Sequence, residues 1–500
     1  MLTRENLRLT GNFRIDGRND SAVSDEESIL NAYETWGEDC VQHLIGDFAF
    51  AIWDERLQRL FCARDHMGVK PFFYTHLSGN FNFSSTLNEL RLDKNVSSAL
   101  NEIAVGDYLL FGVNQDNATT IFRDIQRLPP GHTLTFANNE IKIRRYWAPS
   151  LPSQELRFRG PQEYVEGFLE LFSQAVRDRL RTDRVAISMS GGLDSTSLAA
   201  IASEYAEVAG FVVVYDSLIP DEERHYSRLA ARHLGIPVTH LSADQYGLFD
   251  GRMEQAEPFL LSVLTGQFNE LLRLCAGFSD LALTGYDGDA LMHEPRPKLR
   301  TRIKRMLRKA DRVNDSFPEW IDEEFARRTN LRERWEAFWT YREKSNSRPV
   351  ALRALNSKIW TSLFEGYDAG ATKLQLEVRH PFLDVRLIEY LLAVPPVPWC
   401  VNKHILRRAM SNKLPAAVLN RPKTGLMGDP ALQLVRRASV RWLDSFQVSP
   451  ELRAFVNLNR RRLVADEKTS DALWASLRVF ALNYWLQNSQ PPEMETLHGT

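Results

Sequence analysis

Along the first 150 residues apolar and polar positions tend to alternate. Residues 47–53 and 59–64 follow a period of two, and the polar DERLQ between them predicts an antiparallel hairpin. Residues 72–74 and 80–84 read as a second strand pair. One helix is inserted: Ser24 opens a helical stretch that runs to Trp36, and Glu27 stands three residues on, at the capping-box position. Near residue 150 the pattern stops in APSLPSQELRFRGP, whose prolines and polar residues predict a linker. From Tyr164 a long helical pattern begins, and beyond it strand-like runs alternate with helical ones, the order that builds a parallel α/β sheet.

Composition narrows the class. The chain has 500 residues, 44% hydrophobic and 25% charged, which excludes disorder, collagen and coiled coil. At roughly 150 residues per domain the length allows about three domains, and two large ones are expected. With Lys+Arg 62 against Asp+Glu 64 there is no electrostatic case for a nucleic-acid partner. Cys40, Cys62, Cys275 and Cys400 form no CxxC pair, so neither a zinc site nor a disulfide framework is indicated, and a cytoplasmic location is expected. The opening MLTRENLRLT is charged and no apolar run reaches ~18 residues, so no membrane partner is expected.

The chemistry gathers first in residues 185–200, VAISMSGGLDSTSLAA. A β-branched run ends in Ser190-Gly191-Gly192-Leu193-Asp194-Ser195 and a helical pattern follows, so the motif is strand, glycine turn and helix N-terminus. Helix N-terminal N–H groups favour anions, and glycines let a phosphate approach. Two glycines alone suit any tight turn. Two serines and an aspartate in the same turn point further, to hydroxyls on phosphate oxygens and a carboxylate on Mg²⁺. A Walker A loop would need GxxxxGK[ST].

SGGLDS resembles the PP-loop of ATP pyrophosphatases, which split ATP between the α and β phosphates. That resemblance implies nucleotide binding by Ser188, Met189, Ser190, Gly191, Gly192, Leu193, Asp194 and Ser195. Residues 36–74, WGEDCVQHLIGDFAFAIWDERLQRLFCARDHMGVKPFFY, resemble the N-terminal domain of asparagine synthetases, and residues 377–384, EVRHPFLD, resemble a block of their synthetase domain. The likeness runs from about residue 9 to beyond 430. It implies an α+β Ntn-hydrolase-like N-terminal domain followed by an α/β adenine-nucleotide α-hydrolase-like (PP-loop) synthetase domain. The expected bounds are 1–148 for a truncated, inactive glutaminase-like domain, 149–163 for the linker and 164–500 for the ligase domain.

In that family a second acidic loop supplies the other magnesium ligand, and here it is Thr284-Gly285-Tyr286-Asp287-Gly288-Asp289. It follows the apolar 281–283, and in open α/β sheets ligands bind at strand ends. The resemblance therefore implies ATP and Mg²⁺ as cofactors, with Asp194 and Asp289 on the metal and Thr284 and Gly285 at the nucleotide. An Asp beside glycine is by itself an ordinary turn former.

Two departures matter. The family's glutaminase uses an N-terminal cysteine, and this chain has no cysteine before Cys40, so glutamine hydrolysis is not expected. The usual opening segment with its substrate-binding arginine is also missing, although Ser24-Asp25 resembles the family's substrate-amine aspartate. A domain kept for structure and a start placed too far downstream both fit. The second departure is Tyr286, where asparagine synthetases carry Glu. A tyrosine there resembles β-lactam synthetase, and lasso-peptide cyclases share the superfamily. On that resemblance the Tyr286 phenol takes the proton of an attacking amine, with Glu365 in FEGYD as its helper. The plainer reading is a half-buried tyrosine at a strand end.

Residues 403–425, KHILRRAMSNKLPAAVLNRPKTG, resemble the family's closing segment, whose lysine is here Lys423. It implies an ammonium for the oxyanion that forms before AMP leaves. The basic run 296–312 reads first as a solvated helix face and second as a clamp for a peptide or acidic partner. Trp335, Phe338, Trp339 and Tyr341 have helical spacing and are expected in the core or a pocket wall. The expected activity is an AMP-forming carbon–nitrogen ligase acting on a small-molecule or peptide carboxylate. Three forms stay open: an asparagine synthetase using ammonia, an intramolecular or peptide amide-forming cyclase of the lasso-peptide or β-lactam synthetase type with a precursor peptide as a possible partner, and an inactive nucleotide-binding or regulatory relative. The sequence leaves the oligomeric state open.

Overall fold

The alternating segments of the first part fold as strands. In this computed structural model, residues 2–17, 23–219, 221–250, 256–259, 263–294, 317–340, 348–422, 428–437, 446–460 and 470–489 are described. The first part contains β1 (Leu2–Arg4), β2 (Leu7–Ile15), β3 (Gly46–Asp54), β4 (Arg59–Arg64), β5 (Phe73–Leu77), β6 (Asn80–Ser84), β7 (Gln126–Arg127), β8 (His132–Ala137) and β9 (Glu140–Arg145). They make two antiparallel sheets, ordered β1-β2-β3-β4-β8-β9 and β6-β5-β7. The predicted hairpin is β3 with β4, Trp53 opposite Leu60.

Alternation along β3 sends Phe48, Phe50 and Ile52 to one face, against Ile29, Leu30 and Tyr33 of the Asp25–Trp36 helix. Ala49 and Ala51 go to the other face, with Phe72 and Tyr74. The helix starts where the capping box places it. Ser24 Oγ accepts from the Glu27 N–H at 3.1 Å, and the Glu27 carboxylate accepts from the Ser24 N–H at 2.9 Å.

Residues 146–160 carry no helix or strand. The helix expected from Tyr164 begins at Pro161 (Pro161–Arg179), since proline's fixed φ suits the first turn. Beyond it β10 (Arg184–Ser188), β11 (Glu207–Val214), β12 (Val238–Ser242), β13 (Leu281–Thr284) and β14 (Glu377–Arg379) form one parallel sheet ordered β12-β11-β10-β13-β14. Val185, Ala186 and Ile187 of β10 are fully buried, as a strand covered on both faces requires. The chain runs outward from β10 to β12, then returns to lay β13 on the other side of β10. The connections therefore diverge between β10 and β13, and a crevice opens at their carboxyl ends.

The two parts share a core. The helix Glu102–Phe111 of the first part buries Val105, Leu109 and Leu110 in one cluster with Leu331, Leu473, Leu477 and Phe480 of the second. Gly106 lets Leu331 approach so closely that a Cβ would lie 2.4 Å from its Cδ2. Arg478 of the helix Ser470–Asn488 donates to the Leu110 carbonyl at 2.5 Å. Elsewhere the contact is charged: Asp16 and Asp47, which Arg14 also holds, meet Arg179, which lies 2.7 Å from Asp384. Lys70 lies 2.7 Å from Glu377.

One expectation fails here. The helix Leu331–Thr340 buries Leu331 and packs Trp335 against the core cluster, with Phe338 stacked on Phe111 at its edge. Trp335 is half-buried, while Phe338 and Trp339 are 44% and 40% exposed. Tyr341 and the basic run 296–312 lie outside the described residues. No helix among the described residues is long and apolar enough to cross a membrane.

Candidate active site

After Ser188 the chain turns through Met189, Ser190, Gly191 and Gly192 into the helix Leu193–Ala202. Met189 and Leu193 are buried and anchor the turn from below. The serine hydroxyls shape the loop itself: Ser195 Oγ accepts from the Ser190 N–H at 2.9 Å, and the Gly192 N–H donates to Ser190 Oγ at 3.1 Å. The Gly191 N–H donates to Glu223 Oε2 at 2.5 Å, and Arg421 holds the same carboxylate at 2.8 Å. An anion thus already sits on the loop's N–H, where the helix terminus favours one.

Asp194, in the first helical turn, faces the loop that leaves β13. That loop nests against it: a Cβ on Gly288 would lie 2.8 Å from Asp194 Cγ, so the close approach requires glycine. Asp289, in the short helix Gly288–Met292, completes a pair. Lys403 Nζ lies 2.6 Å from Asp194 Oδ2 and 2.5 Å from Asp289 Oδ1, so both carboxylates converge on one cationic atom. Asp287, between them, adopts the left-handed φ of 66° that a short polar side chain tolerates. Burial, then Asp194 and Asp289, push its carboxyl well above the ordinary range. Sequence reasoning misses Asp287 and Lys403. The available signals are the second acid in TGYDGD and the lysine that opens KHILRR.

Thr284 Oγ1 lies 2.6 Å from His380 Nδ1. Burial pushes His380 down to about 3, so the imidazole is neutral. Gly285 packs on Asp194 and Ser195, a virtual Cβ meeting the Ser195 nitrogen at 3.1 Å.

The Tyr286 hydroxyl lies 2.7 Å from that of Tyr367. Burial raises the Tyr286 pKa above its ordinary value and hydrogen bonding from Tyr367 opposes the rise, while Tyr367 is pushed well above the ordinary value. The expected helper is corrected: Glu365 is not the phenol's partner. It precedes Tyr367 by two positions on the helix Ile359–Tyr367, and such residues point roughly 200° apart. Its carboxylate is forked by Arg127, Nε to Oε1 at 2.7 Å and the second nitrogen to Oε2 at 3.0 Å. Lys423 lies outside the described residues.

In the first part Asp25 pairs with Arg181 of the second. All four cysteines are free and buried. Burial pushes the Cys40 and Cys275 thiols up to about 12 and Cys400 up to about 11, and it raises Cys62 as well. None of the four is a thiolate at neutral pH.

Residues 6–147 match the glutamine amidotransferase domain family and residues 167–487 match asparagine synthase. An N-terminal glutamine amidotransferase domain is thus followed by an asparagine synthase domain. The chain belongs to the asparagine synthase family, ATP-using carbon–nitrogen ligases. "Asparagine synthetase [glutamine-hydrolyzing] 3" of Bacillus subtilis is 29% identical over 460 residues, 82% of this chain and 72% of that protein. "Asparagine synthetase [glutamine-hydrolyzing] 2" of the same organism is 28% identical over 80% of this chain and 58% of that protein, so the chain spans less than two thirds of the second relative. Among solved structures, a B. subtilis glutamine phosphoribosylpyrophosphate amidotransferase matches at 14% identity and a TM-score of 0.19, covering 51% of this chain and 49% of that one. At that score the likeness carries no argument.

Proposed function

We propose that the protein is a PP-loop amide ligase that activates a carboxylate with ATP and Mg²⁺, releasing pyrophosphate and AMP. The observation that carries this reading is the convergence of Asp194 and Asp289, from the ends of β10 and β13, on one ammonium. That ammonium is a stand-in for a cation. Among the described residues no three His, Cys, Asp or Glu side chains form a ready metal cage. Mg²⁺ does not need one, because one or two carboxylates suffice when phosphates and water supply the rest. When bound it would neutralise charge on the departing pyrophosphate.

In this reading Lys403 gives up the carboxylates and turns to phosphate oxygens, and the Gly191 N–H exchanges the Glu223 carboxylate for a phosphate. A substrate carboxylate oxygen attacks the α-phosphorus and pyrophosphate leaves, giving an acyl-adenylate. An amine then attacks the acyl carbon and gives its proton to Tyr286 in the phenolate form, which the Tyr367 hydroxyl steadies by donating to it at 2.7 Å; Lys423 meets the oxyanion, and AMP leaves. The N-terminal domain is of the Ntn type, and its buried thiols support ammonia or an amine, rather than glutamine, as nitrogen source.

A second reading, a cyclase joining an amine and a carboxylate of one substrate such as a precursor peptide, is favoured by Tyr286 and its phenolic partner Tyr367. The test measures AMP and pyrophosphate from ATP with L-aspartate and ammonium chloride, and in parallel with a linear peptide bearing a side-chain carboxylate and a free amino terminus. Pyrophosphate that depends on Mg²⁺ and a carboxylate is expected. ADP and inorganic phosphate instead would overturn the reading.

A further inference from the structure

The helix that carries Tyr367 is gripped on its other side by the first domain. Arg127 of β7 is 2% exposed and lies over the Phe73 ring, 5.3 Å from its centroid. It forks Glu365 and also pairs with Glu257 of the second domain. Arg64 stands behind it, 3.9 Å from Glu365, with its own nitrogens fixed on the carbonyls of Gly68, Lys70 and Leu128 at 2.8 Å each. Beside this fork a cleft opens between the domains, walled by Phe73, Glu257, Glu365 and Asp368. Across that cleft the Arg127 fork ties β7 to the helix. The opposite face of the same helix sets Trp360 and Tyr367 around Tyr286.

We infer that Arg127 is a positioning residue for amide formation: through Glu365 the N-terminal domain sets the Ile359–Tyr367 helix so that Tyr367 meets the Tyr286 hydroxyl. The inference rests on the role proposed for Tyr286. It gives the N-terminal domain a task in ligation that requires no glutamine chemistry. The Asp194–Asp289 pair is carried by the helices that follow β10 and β13 and not by this helix, so adenylation is spared. A misplacement near 1 Å costs about 10²-fold in rate, and that is the loss expected in amide formation for Arg127→Met.

The test needs no turnover. With 3-fluorotyrosine placed at position 286 of the full chain, the ¹⁹F resonance reports the hydroxyl's hydrogen bond, and Tyr367→Phe should move it. Arg127→Met and the isosteric Glu365→Gln should move it the same way, and Arg127→Lys, which keeps the charge, should restore it towards wild type. Arg127→Met combined with Tyr367→Phe should move it no further than Tyr367→Phe alone, because both act on one contact. A resonance indifferent to Arg127→Met and Glu365→Gln overturns the inference and leaves the base role of Tyr286 standing. One indifferent to Tyr367→Phe overturns the phenol pair on which it is built. Failure of the catalytic reading shows separately, as full amide synthesis by Tyr286→Phe.

Discussion

Replacing Lys403 by methionine removes a cation that Asp194 and Asp289 share and leaves the volume nearly unchanged. The contacts are 2.6 Å and 2.5 Å, and at an effective dielectric near 20 each is worth about 4 kcal/mol or more before desolvation. Breaking a buried pair costs about 3–5 kcal/mol net. The Asp194 side chain is 13% exposed but that of Asp289 is 45%, so water offsets part of the second contact and the low end, about 3 kcal/mol, applies. Lys403→Met should therefore unfold at lower urea than wild type in EDTA. Magnesium at about 100 times its dissociation constant should return roughly 2.7 kcal/mol. Because the competing ammonium is gone, Mn²⁺ followed by electron paramagnetic resonance should bind the variant more tightly, tenfold for each ~1.4 kcal/mol of competition removed. A variant as stable as wild type in EDTA, with unchanged Mn²⁺ affinity, would refute the idea that the lysine holds a cation's place.

Asp194→Asn should abolish Mg²⁺-dependent pyrophosphate release, measured with a coupled phosphate assay; full release would remove this carboxylate from the metal. Tyr286→Phe and Lys423→Ala should keep carboxylate-dependent exchange of labelled pyrophosphate into ATP while amide product falls about 10² to 10³-fold; parallel loss of both would assign these residues to ATP binding or folding. With glutamine, this 500-residue chain should release no glutamate above background, since its four cysteines are buried thiols; measurable glutamate would show a nucleophile other than these thiols. Burial would raise the Glu377 carboxyl, but Lys70 and then Arg379 outweigh it and hold it at about 2, below the ordinary 4.5. The sign follows: its stabilisation is complete above about pH 4.5 and is lost as pH falls towards 2. With its side chain 35% exposed, it contributes about 1–2 kcal/mol after screening. Urea midpoints between pH 5 and 3 should therefore fall less steeply for Glu377→Gln than for wild type.

What was legible in the sequence was local. The capping box at Ser24, the hairpin of β3 and β4 and the turn from β10 into its helix depend on residues within a few positions of one another, so spacing alone places them. The converging acids were legible through two short motifs at strand ends. Glu365 was misassigned because its partner Arg127 lies 238 positions away and nothing near FEGYD announces it. Phe338 and Trp339 carry a helical period without the burial that period usually marks, since they lie at the edge of the core that Leu331 and Trp335 reach. Lys403 resembles any lysine before a helix until two distant loops deliver their carboxylates to it.

The shared core has a consequence for how the chain is made. The helix Glu102–Phe111 is covered by the helix Ser470–Asn488, so 358 residues separate the end of one from the start of its cover. At ribosomal speeds of about 5–20 residues per second the nascent N-terminal domain waits roughly 20–70 s with that apolar surface open. A holding chaperone has its natural target there. A premature stop that deletes only the last helix would spare every group around Asp194 and still unroof a domain finished long before.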